Sequence, residues 1–114
     1  MNSEQITLAL RREKELLERV LEMAECQLDL VESGRIDDLA ALLTLREAAM
    51  SELEMIESQT DATFSTQDID ALQDLNIAIF SLADRIADLD ERTEWLAEQY
   101  EESTSREPSA AAGA

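Results

Sequence analysis

A chain of 114 residues with two glycines, one proline and few aromatics, built mainly from Ala, Leu, Glu, Asp and Arg, has the composition of one small helical domain. Its 27 acids against nine bases give a net charge of −18, which repels phosphate backbones and anionic lipid. Nucleic acid and membrane surfaces are therefore not expected as partners.

Catalytic chemistry is equally thin. There is no histidine, so the usual general base and the commonest metal ligand are missing. The two glycines, Gly34 and Gly113, form no phosphate-binding loop. Asp84 and Asp88 are the best-placed acid pair, but they fall on the outer face of a helix, whereas di-metal bundle sites use inward Glu-x-x-His motifs. Cys26 stands alone, and Glu22, Glu25 and Asp29 around it disfavour the thiolate. Neither an enzyme nor a cofactor is expected. No apolar run approaches the length of about eighteen residues that a membrane span needs. The first residues are polar and lead to Arg11 and Arg12 without a signal-peptide core, so a cytoplasmic location is expected.

Helix 1 is predicted over 3–33, with Ser3 as a plausible N-cap. Ile6, Leu10, Leu17, Val20, Leu21, Ala24, Leu28 and Val31 form one stripe at 100° steps, and Leu16, Met23 and Leu30 widen it. A stripe that broad predicts two neighbours. Ser33-Gly34 then interrupts the helix formers. Gly34 is predicted to adopt the left-handed conformation that ends a helix, which glycine reaches without a Cβ penalty. Asp37 is the predicted N-cap of helix 2, over 37–57, and Asp38 adds charge where the helix dipole favours it. So short a turn implies an antiparallel hairpin.

Helix 2 has a seam of Leu39, Leu42, Leu43, Ala49, Met50, Leu53 and Ile56, and Arg46 stands in the middle of it. Three readings of Arg46 are open. Its stem lies on the core while its head reaches water, or it joins Gln27 or Asn76 in a polar layer that fixes register, or it binds a ligand. Residues 58–66 read as a polar connector, with Phe64 docked on the hairpin end and Ser65 or Thr66 capping helix 3.

Helix 3, predicted over 66–102, repeats Leu72, Leu75, Ile79, Leu82, Ile86, Leu89, Thr93, Leu96 and Tyr100 at spacings of three and four. Residues 103–114 are expected to be a disordered tail. The fold class expected is all-α: an antiparallel three-helix hairpin or bundle with coiled-coil-like packing and a long third helix. By these lengths helix 3 draws level with Gly34 at about residues 87–90. The part beyond would then project as an unpartnered seam of Thr93, Leu96 and Tyr100, with Trp95 on the opposite side and acids at its C-terminal end. Leu89 borders it. Three readings of that segment are open: a basic amphipathic helix of another protein binds it, a dimer mate covers it, or it frays. Ile77 and Phe80, off the main seam, suggest a homodimer when no such partner is present.

The stretch LLERVLEMAECQLDLVESGRIDDLAALLTLREAAMSELEMI resembles the N-terminal hairpin of flagellar export chaperones of the FlgN and FliT type. Those chains tend to show a leucine-rich helix, a turn with glycine and acid, and a Leu-x-x-Leu-Leu-x-x-Arg pattern. Ser33, Gly34, Asp37, Leu39, Leu42, Leu43, Arg46 and Leu53 occupy the matching places, and LADRIADLDERTEWL is similar to the long third helix of the FliT kind. The resemblance implies a chaperone that holds a helical segment of a flagellar structural subunit before type III export. A homo-oligomeric coiled coil, structural or regulatory and unrelated to secretion, is the alternative.

Overall fold

The computed structural model describes the backbone of residues 3–63 and 72–113, and the side chains of 4–59 and 72–102. Three helices make up the described chain: α1 (Ser3–Glu32), α2 (Ile36–Thr63) and α3 (Gln73–Gly113). The fold is an all-α bundle. α1 packs against both α2 and α3, which meet each other only sparsely. The broad stripe on α1 explains this, since Leu16 and Leu30 at its edge are buried along with Ile6, Leu10, Val20 and Ala24. The core joins these to Ala49 and Leu53 of α2 and to Ile79, Leu82 and Ile86 of α3. Each large aliphatic side chain so buried contributes about 1.5–3 kcal/mol.

The turn between α1 and α2 forms as the glycine predicts. Gly34 has φ +70°. The Gly34 N–H donates to the Val31 carbonyl at 3.2 Å and the Arg35 N–H to the Leu30 carbonyl at 2.8 Å, the pair of bonds that closes a Schellman motif. α2 begins at Ile36, so Asp37 and Asp38 both lie inside its first turn. Asp37 therefore stabilises the helix through its dipole and is not the N-cap. Asp38 accepts hydrogen bonds from Arg35 at 2.6 and 2.9 Å.

The second connection lies later in the chain than expected. α2 continues to Thr63 where an end near 57 was predicted. Ser58-Gln59-Thr60-Asp61 contains no glycine or proline, so a polar run that read as a connector continues the helix, with Ser58 and Gln59 exposed. α3 starts at Gln73, after the predicted 66, and its backbone stays helical past the predicted boundary at 102. Ala110, Ala111 and Ala112 in that last stretch are the strongest helix formers. The expected roles of Phe64, Ser65 and Thr66 fall outside the described residues.

These bounds change the register. Thr63 lies 29 residues after Gly34, and Tyr100 lies 27 residues after Gln73. At 1.5 Å per residue, α3 therefore reaches the level of the turn near Tyr100, not at 87–90. The Tyr100 ring comes within 4.0 Å of where a Cβ on Gly34 would stand. Residues 90–100, expected to project beyond the hairpin, pack alongside its turn end instead. Thr93 is buried there, and Leu96 and Ala97 are half-buried.

Candidate functional site

One polar side chain ties all three helices together. Arg46 of α2 donates from Nη1 to Gln27 Oε1 of α1 at 2.8 Å and to Asp90 Oδ1 of α3 at 2.7 Å, and from Nη2 to Asp90 Oδ2. Its side chain is only 15% exposed, against 39% for Asp90, so this bidentate pair is partly withdrawn from water. Of the three readings of Arg46, the polar layer is the one observed. Gln27 was an expected partner; Asn76 was not the other one. Asn76 sits four turns before Asp90, and it is the longer α2 that brings Asp90 to this level. Arg46 lies 17 residues before Thr63, and Asp90 lies 17 residues after Gln73.

On the turn side of this layer, α2 and α3 stand apart and leave an apolar groove of about 400 Å³. Gln27 and Val31 of α1 form its floor, Leu39, Leu43 and Arg46 one wall, and Asp90, Thr93, Glu94 and Ala97 the other. Side-chain size produces it. α3 offers Thr93 and Ala97 where larger residues would meet Leu39 and Leu43. The Thr93 hydroxyl donates to the Leu89 carbonyl of its own helix at 2.8 Å, so it makes no polar demand on the groove.

Two acids line the groove, Asp90, held by Arg46, and Glu94. Arg35 is engaged by Asp38, and Arg92 faces Glu32 at 4.0 Å. Glu94 carries no ion pair among the described residues. A second bridge, Arg12 to Glu52 at 2.8 Å, joins α1 to α2 at the far end. Its hydrogen bond to the Glu52 carboxylate raises the Arg12 pKa further, against a smaller opposing effect of desolvation.

The seven residues expected to bind a partner divide between two faces of α3. Thr93 lines the groove, Leu89 and Leu96 are half-buried, and Tyr100 reaches the Gly34 turn. Ile77, Phe80 and Trp95 are exposed. At 100° per residue they lie on the opposite side of the helix. Asp84, Asp88 and Cys26 are exposed as well. Asp90, Glu94 and Ala97 were not singled out by sequence reasoning, and Leu39 and Leu43 were read only as seam residues of helix 2. The signal for Asp90 was present, as an acid one step from the heptad seam, but it needed the true end of α2 to be read. Comparison of the chain with protein-family models, with curated proteins and with solved structures finds no match.

Proposed function

We propose that the chain is a cytoplasmic protein-binding chaperone that holds a basic amphipathic helical segment of another protein, as flagellar type III export chaperones hold a structural subunit. The observation that carries this reading is the apolar groove between α2 and α3, with Leu39 and Leu43 on one wall and the unpaired Glu94 on the other. An amphipathic helix laid into such a groove buries its apolar face and meets Glu94 with a cation. Affinity capture with the intact chain, with L39D/L43D and with A97F tests it. A flagellar structural subunit recovered by the intact chain and lost with both variants supports the reading. Equal recovery by all three, or no such subunit among the captured proteins, overturns it.

A homo-oligomeric coiled coil is the second reading, favoured by one face of α2. Ala41, Leu45, Ala48 and Met55 are all exposed there at helical spacing, and Glu52, which shares that face, is held by Arg12. Light scattering across a concentration series decides. A dimer that L45E/M55E dissociates supports this reading, and a monomer at high micromolar concentration removes it.

A further inference from the structure

We infer that the outward face of α3 is a second docking surface, separate from the groove, whose occupant is a basic helix of another protein. Ile77 and Trp95 are 18 residues apart, which is five turns at 3.6 residues per turn, so they share one line along the helix. Both are 58% exposed, and Phe80 beside Ile77 is 71% exposed. Between these apolar ends stand Asp84, Asp88 and Glu91, all exposed and within about 40° of the same line by helical geometry. None of the three has an ion-pair partner among the described residues. Beside Trp95, the side chains of Asp88, Glu91 and Arg92 wall a shallow depression of about 370 Å³.

Charge selects the occupant. A second copy of a chain with net charge −18 would set carboxylates against carboxylates along this stripe. A helix with Arg or Lys at its middle and apolar residues at its ends complements the whole pattern. An arginine at the depression stacks on the Trp95 ring while Asp88 and Glu91 accept its N–H groups. The 18-residue interval sets the partner helix at about five turns, roughly 27 Å.

Trp95 is the sole tryptophan, so its emission reports on this face directly. The probe is a synthetic helix-forming peptide with leucines at the two ends of a five-turn interval and arginines between them, titrated into the full-length chain. A peptide of the same composition in scrambled order is the control. The expected result is a saturable change in Trp95 emission. D88N/E91Q weakens binding by about fivefold or more, whereas E22Q/E25Q, the same change of charge on α1, weakens it by less than about twofold. L43D in the groove leaves the affinity unchanged. Equal weakening by E22Q/E25Q, equal binding of the scrambled peptide, unchanged emission at saturation, or loss of binding in L43D would each overturn the assignment.

Discussion

Between Ile6 and Ala24, α1 is sealed by side chains as large as its own. Leu53 of α2 and Ile79, Leu82 and Ile86 of α3 close over it, and the whole set is buried. Between Gln27 and Gly34 the same stripe continues through Leu28, Leu30 and Val31, equally apolar and equally buried. What changes is the facing pair. α2 presents Leu39 and Leu42 only half-buried and Ile36 and Leu43 exposed, while α3 presents Asp90, Thr93 and Ala97. The Arg46–Asp90–Gln27 layer marks the border. The contrast shows that an open groove needs no irregular backbone; two small residues and one polar layer on straight helices are enough.

Truncations on either side of that border sharpen the contrast most. Leu53→Ala, in the sealed half, should cost about 2–5 kcal/mol in chemical denaturation, from lost burial and the cavity left behind. A loss below about 1 kcal/mol there would mean that the two halves do not differ in packing. At the border, Arg46→Ala should cost about 1–3 kcal/mol, because Gln27 and Asp90 lose their donor in a partly dry site. Asp90→Asn should cost less, and added salt should shrink the coupling in a double-mutant cycle, since Asp90 is 39% exposed. If Arg46→Met melts at or above the parent, the layer sets register without adding stability.

Gly34→Val tests the turn that carries the open half. It should cost about 1–2 kcal/mol from backbone strain alone. The added Cβ would meet only the Tyr100 ring at an ordinary 4.0 Å. Leu43→Ala closes the series with the smallest effect, about 0.5 kcal/mol or less, because the side chain is already exposed. A loss as large as that of Leu53→Ala would mean the groove is filled in solution, by a second copy if light scattering finds one.

Much of this architecture was readable from residue types. The width of the α1 stripe implied two neighbours, and Gly34 between two strong helix formers implied a left-handed turn. Arg46 inside a leucine seam left three readings open, and hydrogen bonds to Gln27 and Asp90 are what the structure shows. The error lay in one boundary. Polarity from Ser58 onward was read as a connector, although nothing there breaks a helix. Six residues added to α2 and seven removed from the start of α3 slide the third helix by more than three turns. That slide replaces Asn76 with Asp90 opposite Arg46, and turns a supposed overhang after Arg92 into the wall of the groove. Periodicity fixes which face of a helix is apolar, but axial register depends on where the preceding helix ends, and polar helix ends carry little signal.

The sparse contact between α2 and α3 bears on the order in which the molecule assembles. α1 meets α2 across a turn of a few residues, so hairpin closure is local and fast. The core it shares with Ile79, Leu82 and Ile86 of α3 joins residues more than fifty positions apart, which cannot come together until most of the chain has been synthesised. Until then Ile6, Leu10, Leu17 and Leu21 have no lid on that side. A nascent chain therefore passes through a stage in which the hairpin offers a long apolar trough to any helix nearby. Synthesis of α3 ends that stage, and its arrival leaves the short opening beside Ala97.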